Sequence, residues 1–211
     1  MRAVGVVRGA AVGGSGTWTP AALSPLYYMP TGPAWCFTDA GKTTPAGDGD
    51  AVYTQVETAA GADLTSATLA NRPLLRNRSG KWVLECDGSN DRLVRTGLTI
   101  NQPVTIAFRA TLRNVHDGVN NNIIFSVGSA RIVGRLSGGQ FCAYFNSLLQ
   151  SSVAPTVGTA FCCVAYINGA SSYIRINGTQ TAGDPGAGAG TGLAIGCEDP
   201  GGPLSFAQCY L

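Results

Sequence analysis

Twelve carboxylate side chains are available for proton transfer in this chain, and just three are glutamates: Glu57, Glu85 and Glu198. Hydrolysis of a glycosidic bond needs two carboxyl groups roughly 5–9.5 Å apart, one to donate a proton and one to attack or activate water. No E-x-D-x-E series occurs, and none of the three glutamates is taken as half of a same-strand pair. Glu198 and Asp199 are adjacent, so on a strand they would point to opposite faces. His116, the single histidine, stands in Val115-His116-Asp117-Gly118, a turn composition, and no G-x-S-x-G elbow supplies a nucleophile. Gly13-Gly14-Ser15-Gly16 lacks the Lys and helix that complete a phosphate loop. No catalytic residue is assigned, and the expectation is a non-enzyme.

Metal and thiol chemistry are the next candidates. Asp87, Asn90 and Asp91 cluster their oxygens, but calcium takes 6–8 oxygen ligands. They read more simply as turn residues whose carboxylates accept backbone N–H groups, so no metal and no cofactor is expected. The seven cysteines, Cys36, Cys86, Cys142, Cys162, Cys163, Cys197 and Cys209, include no CxxC pair. Several fall inside apolar runs, where a free thiol packs as a small hydrophobe. Asn77-Arg78-Ser79 and Asn177-Gly178-Thr179 match glycosylation acceptors and read as turn residues. Arg72, Arg76 and Arg78, with Lys81, Arg92 and Arg95, form the densest run of positive charge. A solvated face is the plain reading; an arginine-rich contact with a partner is the sharper one.

These residues must be held by β-structure. Only 12% of residues are charged and 45% are apolar, with 29 Gly and 11 Pro in 211 positions. That composition excludes long helices and disorder and suits a single domain. Val104, Ile106, Phe108, Ala110 and Leu112 alternate with Thr105, Ala107, Arg109, Thr111 and Arg113, the signature of a half-buried strand. Further strands are predicted at 81–86, 92–96, 122–127, 131–136, 140–146, 161–167, 173–177, 192–197 and 205–211. Asp87-Gly88, Asn168-Gly169 and Asn177-Gly178 mark turns between them. Residues 59–70 read as a long loop with one turn. Gly183–Gly192 reads as a flexible loop too poor in side chains to pack. Met1–Gly16 reads as an arm with no partner strand. The expected fold is an all-β antiparallel sandwich of jelly-roll type, with residues 1–17 as the arm and 18–211 as the domain.

Trp18-Thr-Pro-Ala-Ala-Leu-Ser-Pro-Leu-Tyr-Tyr, then Thr38-Asp39-Ala40, Arg72-Pro73-Leu74-Leu75 and Trp82 through Leu93 carry a family likeness. The chain resembles the laminin-G-like branch of the concanavalin A-like lectin/glucanase superfamily, with Asp87-Gly88-Ser89-Asn90-Asp91-Arg92-Leu93 matching its D-G-x-x-D-x-L hairpin. Cys86 stands where the family has Phe. The resemblance implies a concanavalin A-like sandwich over about residues 18–211.

Size, the small N-terminal arm and the lack of an export signal resemble accessory structural proteins of tailed bacteriophages. The expected role is therefore a virion protein, a capsid decoration or cement protein bound to a major capsid or tail protein. It would form a homo-oligomer and be made in the host cytoplasm without a signal peptide. The alternative is a carbohydrate-binding module for a bacterial surface glycan. A net charge of +2 gives no reason to expect nucleic acid, and no stretch is long and apolar enough for a membrane span. Arg2, Val4, Val6, Val7 and Arg8 of the arm, with Arg72, Arg76 and Arg78, are the expected partner-binding residues.

Overall fold

The computed structural model describes residues 3–7, 27–59, 63–113, 122–127, 130–135, 140–196 and 208–211. Over these residues the chain is strands and turns, with one short 3-10 turn at Leu69–Asn71. In chain order the strands are β1 (Ala3–Val7), β2 (Tyr27–Pro30), β3 (Cys36–Phe37), β4 (Thr54–Gln55), β5 (Leu64–Thr65) and β6 (Leu74–Arg78). They continue with β7 (Lys81–Asp87), β8 (Leu93–Asn101), β9 (Val104–Leu112), β10 (Asn122–Val127), β11 (Ala130–Arg135) and β12 (Phe141–Tyr144). The last six are β13 (Leu148–Gln150), β14 (Ala160–Ile167), β15 (Ser172–Ile176), β16 (Thr179–Gly183), β17 (Ala189–Ile195) and β18 (Gln208–Tyr210).

Two antiparallel sheets result. The first runs β16-β15-β14-β9-β18-β7-β6, with β1 also paired to β9 and β2 lying outside β1. The second runs β13-β12-β11-β10-β17-β8-β5-β4-β3. Alternation is the cause of the stacking. Along β9 every even-numbered residue from Val104 to Leu112 is buried and every odd one is half-exposed, as a period of two demands. The buried faces meet in one core holding Leu84, Ile106, Phe108, Phe161 and Ile174 from the first sheet. Leu93, Phe125, Phe141 and Ile195 come from the second. Phe141 meets Phe161 edge-on across the layers, with ring centroids 5.1 Å apart and planes at 76°, a favoured aromatic geometry. The expected all-β antiparallel sandwich is what the chain forms.

Local chemistry sets the turns. Asn177 (φ 48°) and Gly178 (φ 92°) link β15 to β16, the two-residue left-handed pair that matches strand twist. Asp39, in the family-like Thr38-Asp39-Ala40, accepts the N–H groups of Thr43 and Thr44. Those backbone donors hold its carboxyl below the ordinary range. The two sequons are turn residues as well: Asn77 Oδ1 accepts Gly80 N–H and Asn177 Oδ1 accepts Cys162 N–H.

Three expectations are corrected. Ala3–Val7 does have partner strands, pairing β2 from Ala3↔Pro30 to Val6↔Tyr27 and β9 from Gly5↔Ala107 to Val7↔Thr105. A Gly- and Val-rich segment offers little side-chain pattern, yet its backbone groups still need partners, and the edge of β9 supplies them. Gly183–Gly192 is not a loose loop either. Residues 189–191 pair with 99–101 of β8, and the Pro185 carbonyl accepts N–H groups from Phe145, Asn146 and Ser147. Small residues suit this path because β17 runs close against its neighbour β10 within the second sheet. A Cβ on Gly190 would overlap the carbonyl and a methyl of Val127. Residues 59–70 hold β5 and the start of the 3-10 turn rather than one continuous loop, with 60–62 outside the described residues.

Candidate functional site

The outer face of the first sheet carries several accessible polar side chains. The β14–β15 hairpin is tightly braced at its tip. Asn168 N–H donates to Ser172 Oγ, which donates on to the Gly169 carbonyl. Gly169 N–H donates to Gln102 Oε1, while Gln102 Nε2 donates to the Gly186 carbonyl. This bracing fixes the register, which puts Tyr166 opposite Tyr173, Val164 opposite Arg175 and Cys163 opposite Ile176. Phe161, Cys163, Ala165 and Ile167 of β14 are buried, so Tyr166, Tyr173 and Arg175 stand on the solvent side.

The two tyrosine rings form a shelf, with centroids 5.4 Å apart and planes inclined by 32°. Both are half-buried. Their flanking neighbours in the sheet are small: Thr105 pairs with Tyr166 and Ala182 with Tyr173. In the next row Arg175 lies over the Tyr173 ring at 5.6 Å and donates to Gln180 Oε1 at 2.6 Å. Val164 and Ala107 form the floor beyond it. Asn168 Nδ2 donates to the Tyr166 hydroxyl at 3.1 Å. The shelf thus pairs apolar ring surface with amide, guanidinium and hydroxyl groups at its rim. Such a surface suits a ligand with alternating C–H faces and hydroxyls.

Farther along the same face, Glu85 gathers three arginines. Arg76 Nε lies 2.8 Å and Arg78 Nη2 3.4 Å from its Oε2, and Arg113 Nη1 lies 2.8 Å from its Oε1. Two of the expected partner residues, Arg76 and Arg78, are therefore brought together. Arg72 goes elsewhere. It donates to the carbonyls of Ser66, Thr38 and Ala67 and sits 4.5 Å over the Tyr53 ring, bracing the loops around β4 and β5. Val4, Val6 and Val7 lie on β1, inside the sheet; Arg2 and Arg8 lie outside the described residues.

Sequence reasoning passed over one carboxylate pair. Glu85 and Asp87 are two apart on β7 and so share a face. Both are engaged, Glu85 by guanidinium groups and Asp87 by the N–H groups of Ser89 and Asn90, which its Oδ1 accepts. Glu57 is buried and its Oε1 accepts the N–H groups of Tyr28 and Ala59. His116 and Glu198 lie outside the described residues.

The calcium candidates act in the turn. Asp91 Oδ2 accepts Asp87 N–H at 2.9 Å, and the Asn90 carbonyl accepts from Arg92. Burial first, then the charge of Asp87, pushes the Asp91 carboxyl up to about 7. Among the described residues no group of three or more His, Cys, Asp or Glu side chains is placed to hold a metal. Beside this turn Cys86 and Cys209 face each other across β7 and β18, both fully buried. Their mutual hydrogen bond and burial raise the Cys86 thiol well above its usual range. Burial also pushes Cys36 up to about 11.

The sequence matches no known protein family and no curated protein. Among solved structures the chain is similar to the Trypanosoma rangeli sialidase in complex with sialic acid, with a TM-score of 0.54 and 11% identity, covering 74% of this chain and 27% of that one. It is also similar to the same sialidase bound to the inhibitor DANA, at 0.52 and 12%, covering 86% and 32%. At this identity the likeness concerns fold alone. The chain spans about a third or less of the sialidase. Sialidases are enzymes, so the likeness lends nothing to the non-catalytic expectation.

Proposed function

We propose that this chain is a non-enzymatic carbohydrate-binding module that seats a glycan on the Tyr166–Tyr173 shelf. One observation carries the reading: two half-exposed tyrosines stand side by side on a braced hairpin, flanked in their row by the small Thr105 and Ala182. An aromatic pair across strands also stabilises a sheet, by roughly 0.2–1 kcal/mol. That role leaves unexplained the hydrogen-bonding rim of Asn168, Arg175 and Gln180 around it. Sugar rings offer C–H faces to aromatic surface and hydroxyls to such a rim. The non-catalytic part of the reading is supported by the engagement of Glu57, Glu85 and Asp87 with internal donors.

The test is binding to a panel of immobilised polysaccharides, with the release of reducing ends measured in parallel. At least one polysaccharide should bind wild type and fail to bind Tyr166→Ala/Tyr173→Ala, with no reducing sugar released. Unchanged binding by that variant, with the fold intact by circular dichroism, would remove the shelf from the reading. Capsid or tail attachment on a virion is a further proposal about where such a module works. Residues 3–7 of the arm that would make such an attachment are paired with strands of this chain on both sides. Copurification with particles at high copy number would support it.

A further inference from the structure

The outer face of β9, β14, β15 and β16 carries Arg109 and Arg175 and no carboxylate. Its other members are Thr105, Ala107 and Thr111 on β9, Ala160, Cys162, Val164 and Tyr166 on β14, Tyr173 on β15, and Gln180 and Ala182 on β16. Pairing sets the geometry: Arg109 is opposite Cys162 and Arg175 is opposite Val164, so the two arginines lie in adjacent rows two strands apart. Strand spacing and rise put their backbones roughly 12 Å from each other. That span lets neighbouring units of one polymer reach both. On the other half of the sheet Arg76, Arg78 and Arg113 surround the single carboxylate of Glu85. Asp87 is held by its own turn, and Asp48 and Asp50 beyond the β6 edge accept N–H groups from Asn77 and Gly47. A chain of net charge only +2 therefore concentrates guanidinium groups on one sheet face.

Resting on the reading of the tyrosine shelf as a sugar platform, we infer that its ligand is an acidic glycan whose carboxylate or sulfate groups are held by Arg109 and Arg175. Guanidinium groups present paired N–H donors that match either anion. The tyrosines take the ring faces and the arginines take the charge, so affinity comes from the shelf and the preference for acid from the arginines. Arg175 is already oriented by the Tyr173 ring and Gln180.

The experiment compares polymers that differ in charge alone. Polygalacturonate is set against its methyl-esterified form, and dextran sulfate against dextran, by calorimetry or affinity electrophoresis with the full chain at two salt concentrations. At least one acidic member should bind about tenfold or more tightly than its neutral counterpart, the gain expected of one charge-assisted hydrogen bond. That advantage should shrink as salt rises. Carboxylate against sulfate preference is read from which pair shows it. Arg109→Gln/Arg175→Gln should erase the ratio, while Arg109→Lys/Arg175→Lys keeps the salt-dependent part; both are checked for cooperative melting. Equal binding within each pair, or a ratio untouched by the glutamine variant, overturns the charge assignment and leaves the shelf standing. Binding of none of the four polymers, with neutral glycans of the wider panel still bound by the shelf, overturns the assignment alone. Loss of all glycan binding across that panel overturns the shelf with it. Equally tight binding of single-stranded DNA would also overturn it, since a sugar platform has no reason to accept that polymer.

Discussion

Glu85→Gln tests whether the arginine cluster on the first sheet is held together by one carboxylate. The side chain of Glu85 is 11% exposed, against 33% for Arg76, 29% for Arg113 and 52% for Arg78. The substitution keeps shape and one acceptor oxygen but leaves three guanidinium groups facing each other. Two unit charges about 4 Å apart interact by about 4 kcal/mol at a near-surface dielectric of roughly 20. Removing one partner of a fully buried pair costs about 3–5 kcal/mol. The arginines keep contact with water, which lowers that figure, and Arg78 at half exposure contributes least. The expected loss is about 2–3 kcal/mol, or a fall in Tm of about 4–12 °C for a chain of this size. Urea unfolding followed by tryptophan fluorescence measures it. Added salt should stabilise the variant relative to wild type, because the remaining repulsion between like charges is screened. A variant within about 0.5 kcal/mol of wild type, with no difference in salt response, would refute the reasoning.

Asp91 gives a pH signature. Its carboxyl is raised to about 7 in the fold by burial and by Asp87. The folded state therefore holds a proton that the unfolded chain releases near pH 4, and its stabilising effect is lost as pH rises from about 4 to about 7. Asp91→Asn should flatten that part of the stability–pH curve, by an amount on the order of a few kcal/mol; identical curves would count against it. Among the described cysteines only Cys162 is exposed. Under native conditions it should take up an alkylating reagent first, with Cys36, Cys86 and Cys163 protected by burial and raised thiol pKa until the chain unfolds. Rapid native labelling of Cys86, read by mass spectrometry, would contradict the packing of β18 on β7. Gly190→Ala should destabilise by more than about 2 kcal/mol because its methyl meets Val127, while Gly188→Ala, in ordinary contact with Phe145, should cost under about 1 kcal/mol.

Much of the fold is legible in the residues themselves. A period of two along 104–112, and the turn pairs Asn168-Gly169 and Asn177-Gly178, assign strands, faces and hairpins because each is a local property of side-chain size and backbone freedom. Even the tyrosine shelf has a local signal. Tyr166 and Tyr173 are equidistant from the turn between 169 and 170, so counting outward from that hairpin pairs them. The short strands β3, β4, β5 and β13 have too few residues to show a period. The Val- and Gly-rich β1 and the small residues 189–191 at the start of β17 show none because their side chains carry almost no contrast between faces.

Sequence alone determined which side of β9 is wet and which is dry, since burial follows the alternation along 104–112. Tertiary structure decided which edge each strand joins. It placed Ala3–Val7 against β9 and let Gly190 of β17 pass Val127. It also carried Arg113 from the end of β9 to the same carboxylate as Arg76 and Arg78. The physical reason is common to all three. Backbone hydrogen bonding and ion pairing between distant segments depend on which surfaces are left open once the two sheets close on each other, and no stretch of neighbouring residues records that.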